Sequence, residues 1–131
     1  MTSADRIPPG AETLLEKRAV AHVATIGPHG EPQSSPVWFG WDGEMLAFSH
    51  TKARQKYRNL QKDARVAISI ADPDNPETYL ELRGTVTIED DPERRYINAM
   101  SLRYTGDTFP LRPGEERVII RVRPTHVTYQ G

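Results

Sequence analysis

The stretch Ser49-His50-Thr51-Lys52-Ala53-Arg54-Gln55-Lys56-Tyr57-Arg58-Asn59-Leu60 holds the residue types best suited to binding chemistry. It carries Lys52, Arg54, Lys56 and Arg58 with no acid among them, and it reads as the end of a strand running into the start of a helix. A helix N-terminus offers free backbone N–H groups and a positive dipole end, so a phosphate or carboxylate binds there readily. On a helical wheel Lys52 and Lys56 flank an apolar stripe on one side, and Arg54 and Arg58 flank it on the other. Lys56 lies nearest the stripe, so its stem can pack while its ammonium reaches into a groove. A solvated basic helix is the competing interpretation of the same run.

Pro36-Val37-Trp38-Phe39-Gly40-Trp41 is the second unusual stretch. A strand apolar on both faces must be covered on both, by a barrel core and by a second partner, either another subunit or a flat ring ligand. A wholly buried core strand is the alternative. Elsewhere the chemistry is sparse. His22, His29, His50 and His126 show no metal-ligand spacing and read as solvated or structural. Ser34-Ser35 has no glycine elbow and no adjacent base, which argues against a serine hydrolase. The acidic run Glu89-Asp90-Asp91-Pro92-Glu93 reads as a turn and helix start, not as paired catalytic carboxylates. An enzyme built from these residues must borrow its hard chemistry from a cofactor.

The elements that position these stretches follow from periodicity. The first ten residues, ending in Pro8-Pro9-Gly10, read as a loose arm, and Ala11–Arg18 as a short helix with Leu14 and Leu15 inward. Strands are expected over Val20–Ile26, Gln33–Trp41, Met45–Ser49, Val66–Ala71, Thr78–Ile88 and Val118–Val122, with Val127–Tyr129 as a possible seventh. Gly27-Pro28-His29-Gly30 and Asp42-Gly43 supply turns, and Gly84 marks a bulge inside the fifth strand. A helix over Lys52–Lys62 places Ala53, Tyr57, Leu60 and Ala64 on one stripe with Thr51 as N-cap. A second, opened by Asp91-Pro92-Glu93, runs to about Arg103 and buries Tyr96, Ile97, Met100 and Leu102. The class is mainly β: one domain over residues 1–131, a small barrel of six or seven strands with two or three short helices.

Composition narrows the function. The 131 residues contain no cysteine, which excludes a thiolate nucleophile and a Cys-ligated metal centre. Seventeen basic against 18 acidic residues give a net charge of -1, which argues against a nucleic-acid binder. No apolar run approaches the roughly 20 residues of a spanning helix, and the first residues lack a secretory core, so a cytoplasmic location away from the membrane is expected.

Four segments together, VATIGPHGEPQSSPVWF, GEMLAFSHTKARQKYRNLQKDARVAISI, LELRGTVTI and RVRPTHV, resemble the split β-barrel superfamily of pyridoxamine-phosphate oxidases and related flavin and deazaflavin oxidoreductases. The run Arg54, Lys56, Arg58, Asn59, Leu60 is similar to the branch that uses the deazaflavin coenzyme F420. The oxidases that bind flavin mononucleotide (FMN) resemble one another in an arginine and a lysine on the second strand, and those positions fall here on Ser35 and Gly40. Their serine-arginine-lysine run falls on Ala53, Arg54 and Gln55, so only Arg54 is kept, with Lys56 one place later. The resemblance therefore implies F420 in preference to tightly bound FMN. It implies a homodimer with cofactor grooves at the subunit contact. The ring would lie against Ser34, Ser35, Pro36, Val37, Trp38 and Ser49, with Phe48 also at the ring-contacting strand end. Tyr79 stands where the oxidases place a ring-facing glutamine. The phosphate would sit at Thr51, Arg54 and Lys56. The implied activity is hydride transfer from reduced F420 to an activated double bond of a small organic substrate. An FMN-dependent oxidase or reductase, and a non-catalytic F420 carrier, are the alternatives.

Overall fold

In chain order the elements are α1 (Pro9–Leu15), β1 (Ala21–Ile26), β2 (Pro32–Val37), β3 (Gly40–Trp41), β4 (Leu46–Thr51), α2 (Gln55–Lys62), β5 (Arg65–Asp72), β6 (Asn75–Asp90), α3 (Arg95–Thr105) and β7 (Arg117–Gln130). The computed structural model describes residues 7–131. All seven strands join one antiparallel sheet in the order β2-β1-β5-β6-β7-β4-β3. The two outer strands are consecutive in the chain. Only Trp38 and Phe39 separate β2 from β3, so the sheet's ends lie within about 11 Å of each other and it curls into a split barrel.

The alternation of the strands decides what fills it. Leu80 and Leu82 of β6 point inward while Arg83 is exposed, and they meet Val23, Phe48, Ile68, Ile70, Ile120 and Val122 in one core cluster. Each such side chain contributes roughly 1.5–3 kcal/mol of burial. Gly84 sits at the register shift between β6 and β7, where Arg123 and Pro124 cross it closely. That is the expected bulge.

Several boundaries differ from the sequence expectation, each for a local reason. Of the loose arm expected over residues 1–10, residues 1–6 lie outside the described residues, and Pro9 and Gly10 belong to α1. A proline in the first turn loses no hydrogen bond there. The expected strand Gln33–Trp41 breaks at Trp38–Phe39 into β2 and β3, because Tyr104 intervenes: its hydroxyl accepts from Phe39 N–H (3.3 Å) and donates to Ala19 O (2.6 Å). Within Val37–Trp41, Phe39 is buried and the rest is half-buried. Val118–Val122 and Val127–Tyr129 are one strand, β7, so the seventh strand comes from the β2–β3 break.

The second helix starts at Gln55, not Lys52. Thr51 is the last residue of β4, Arg54 is the N-cap, and no side chain caps it. Ala53 and Ala64 are exposed, and the buried face is Lys56, Asn59 and Leu60. In α3 the Asp91 carboxylate accepts from the N–H groups of Arg95 (3.1 Å) and Tyr96 (2.9 Å), as a start signal should, but Pro92 stays outside the helix and Leu102 is 51% exposed. No helix among the described residues is long and apolar enough to cross a membrane.

Candidate functional site

Two adjoining cavities, of about 550 and 430 Å³, open between α2, α3, β4 and the end of β2. They share Ser35, His50, Arg54 and Lys56, so they are two halves of one cleft. The first half adds Pro36, Val37 and Trp38 from the barrel corner, Ser49 and Thr51 from β4, Ile97 and Met100 from α3, and Arg117 from β7. The second is polar, with Thr25, Gln33, Ser34 and Gln55.

Of the four cations in the basic segment, two are committed elsewhere. Lys52 pairs with Asp90 at 3.0 Å. Arg58 donates to Ala53 O (2.9 Å) and Gln55 Oε1 (2.8 Å). Arg54 and Lys56 form no ion pair among the described residues, and both line the shared part of the cleft. Lys56 is only 8% exposed, with its ammonium 5.5 Å from the centre of the Phe48 ring. Burial, then repulsion by Arg54, pulls its pKa down to about 8. A buried amine without an ion-pair partner, beside a guanidinium, favours an anion by its electrostatics.

The helix carrying these cations is fixed by a buried polar knot. Asn59 Nδ2 donates to Thr25 Oγ1 (3.0 Å) and Gln33 Oε1 (2.7 Å), while its Oδ1 accepts from Gln55 Nε2 (2.8 Å). Every polar group of the Asn59 side chain is engaged, so the first turn of α2 is held against β1 and β2.

His50 occupies the seam between the two halves. Its Nε2 is buried and has no hydrogen-bond partner among the described residues. Burial, reinforced by Lys56, Arg54 and Arg117, pulls its pKa down to about 3, so the ring is neutral. It can accept or donate a hydrogen bond to a ligand without adding charge. Arg117 is buried as well, but its charge is met by Glu115 (2.9 and 3.2 Å), with a weaker contact to Ser49 Oγ at 3.4 Å.

The structure thus gathers Ser34, Ser35, Pro36, Val37, Trp38, Ser49, Thr51, Arg54 and Lys56 around one cleft. It does not bring Phe48 or Tyr79 there. Phe48 is fully buried in the core beneath Lys56, and Tyr79 pairs with Ala71 and Gln130 in the sheet. His50, Arg117 and the α3 residues were not anticipated as lining. Alternation could have found His50, since Phe48 is an inward residue and the side chain two positions on shares its face.

Gly40 stands where the resemblance sets the second-strand lysine of the oxidases. A Cβ there would lie 2.6 Å from Tyr96 Oη and 3.3 Å from Met100 Cε. The Tyr96 hydroxyl is itself tied to Ala47 O at 3.2 Å, so α3 fills the space a longer side chain would need.

The family profile of pyridoxamine 5'-phosphate oxidase matches residues 7–131. The chain belongs to the pyridoxamine 5'-phosphate oxidase family. Within it, a solved F420 reductase is 46% identical, with a TM-score of 0.86 over 93% of this chain and 98% of that one. A conserved hypothetical protein of Mycobacterium tuberculosis is 27% identical, with a TM-score of 0.72 over 98% of this chain and 88% of that one. The 5a,11a-dehydrotetracycline/5a,11a-dehydrooxytetracycline reductase of Streptomyces rimosus is 36% identical over an alignment of 64 residues that covers 46% of this chain and 45% of that protein. The chain thus aligns with less than half the length of that curated relative. These neighbours share the barrel.

Proposed function

We propose that the protein is an F420-dependent reductase, which holds the coenzyme in the two-part cleft and reduces an activated double bond of a small organic substrate. One observation carries this: Arg54 and Lys56 have no ion-pair partner among the described residues at the seam of the cleft, while the Tyr96 and Met100 side chains crowd the position of a second-strand lysine. The 46% identity to an F420 reductase supports it. Thr51, Arg54 and Lys56 would hold the phosphate, and Ser34–Trp38 with Ser49 would face the ring. A bound deazaflavin supplies hydride transfer with little reactivity toward oxygen.

The chain's own residues have the simpler tasks of binding, orienting and excluding water. Trp38 is stacked on Tyr104 at 5.3 Å, which makes it a fixed flat wall. Ile97 and Met100 cover the cleft with apolar surface. His50, held neutral, offers a hydrogen bond at the seam but is too weak a base to carry a proton near neutral pH. In this reading solvent supplies the proton to the product. The working unit in this proposal is a homodimer. Val20, 40% exposed, and the half-buried Trp38 and Trp41 leave apolar surface beside the cleft, and Tyr79 could face a ring only from a second copy.

Titrating the purified protein with F420 and with FMN, each followed by fluorescence polarisation, tests the cofactor. F420 should bind more tightly; a protein that purifies yellow with stoichiometric FMN would overturn the proposal. Tight F420 binding without turnover of conjugated acceptors would identify a carrier.

A further inference from the structure

The end of the cleft away from α2 has a wall to which the coenzyme assigns no role. Residues 106–116 connect α3 to β7 and are pinned to α3. Phe109 N–H donates to Asn98 Oδ1 (3.0 Å), and Arg94 Nη2 donates to the carbonyl oxygens of Phe109 (3.2 Å) and Pro110 (2.9 Å). These bonds fix the Phe109 ring edge-on to Trp38 at 6.3 Å. Two guanidiniums lie against that ring, Arg117 at 4.8 Å and Arg112 at 5.3 Å.

The two arginines are not equivalent. Arg117 is buried and its charge is met by Glu115. Arg112 is exposed, lines the cleft and has no carboxylate partner among the described residues. Val20, Ile97 and Met100 make the rest of this end apolar. Arg54 and Lys56 line both halves at their seam, whereas Arg112 lines only the first, so the first half has a cation of its own beyond the shared pair. An aromatic and apolar pocket with one uncompensated planar cation at its rim favours a flat conjugated ring that carries one negative charge.

We propose that this end is the substrate pocket, that it takes a flat conjugated ring bearing a carboxylate or an acidic enol, and that Arg112 is its specificity residue. The proposal rests on the F420 assignment only in that the coenzyme's anionic end occupies Arg54 and Lys56 and leaves Arg112 free.

The test is calorimetric titration with 2-naphthoate and 2-naphthamide, which share a ring system and differ in charge. Both are titrated into the protein alone and into the protein saturated with F420. The naphthoate should bind about fivefold more tightly than the amide, as expected of an ion pair open to solvent. Arg112→Ala should erase that preference, Arg112→Lys should keep part of it, and both variants should bind F420 as the wild type does. Arg112 is exposed, so its replacement does not threaten the fold. The proposal is overturned if naphthoate does not bind, shows no preference over the amide, or keeps its preference in Arg112→Ala while losing it in Lys56→Ala. Failure of the wild type to bind F420, with an Arg112-dependent naphthoate preference intact, would support this pocket and overturn the coenzyme assignment alone.

Discussion

Raising the pH from 7 to 9 should weaken F420 binding, and one buried amine sets the amount. Burial and the neighbouring Arg54 hold the Lys56 pKa at about 8, below the usual lysine value of 10.5. Below that pH the side chain is an ammonium that can pair with a phosphate; above it, the neutral amine offers no charge. The fraction of free protein carrying the charge falls from roughly nine-tenths at pH 7 to about one-tenth at pH 9. If the partly desolvated contact is worth about 2 kcal/mol, the charged form binds roughly thirtyfold more tightly than the neutral one. The Kd should then rise by slightly less than about tenfold between the two pH values. The same shift acts on stability with a definite sign. The native state binds fewer protons than the unfolded chain between about 8 and the usual lysine value, so this group's contribution to stability increases as pH rises through that window.

Fluorescence polarisation of F420 at constant ionic strength measures the effect. Lys56→Arg should bind at both pH values without the step, because a guanidinium stays charged. Any titration of the ligand itself is shared by this variant, so the ratio isolates the amine. Lys56→Ala should lose roughly thirtyfold at pH 7. Lys62→Ala, an exposed lysine near the end of the same helix, should lose only what added salt erases. A Kd unchanged between pH 7 and 9, or alanine variants agreeing within roughly a factor of two, would show that Lys56 does not hold the anion.

Two further outcomes are expected. Gly84→Ala should cost about 3 kcal/mol in urea unfolding, since the added carbon would strike the backbone of Arg123; Gly114→Ala, at φ 77° with nothing nearby, should cost about 1 kcal/mol, and equal midpoints would refute the distinction. Sedimentation equilibrium at micromolar concentration should give twice the chain mass of 14.8 kDa, and a monomer mass would remove the interfacial cleft.

The barrel was legible wherever a local period recorded a long-range environment. The alternation in β6 and the turn glycines placed the strands within a few residues, and Gly84 announced its bulge. Local signals failed where a distant residue decides the outcome. Nothing between Gln33 and Trp41 shows that the strand must break at Trp38; the cause is a tyrosine at 104 that bonds both Ala19 and Phe39. The helical stripe failed for a related reason. A wheel ranks Ala53 and Ala64 above Lys56 and Asn59 by hydropathy, yet the helix buries the polar pair. Asn59 is buried because Thr25, Gln33 and Gln55 complete its hydrogen bonds, and Lys56 because its stem packs while its head faces the cleft.

The site divides along the same line. Its basic segment was visible because a run of four cations without an acid is a property of adjacent residues. Its other end was not, because Phe109, Arg112 and Arg117 come from a connection and a strand distant in sequence from the basic segment. Even Gly40, which read as a mere departure from the oxidase pattern, acquires its cause only in three dimensions. Tyr96 is held to the β4 backbone and Met100 lies beside it, so a side chain at position 40 would have to push these two α3 side chains aside. That helix also supplies Ile97 and Met100 to the cleft. Restoring a phosphate-gripping lysine on the second strand would therefore disturb the wall beside the substrate pocket. In the proposed reading, cofactor choice and substrate shape meet at one helix.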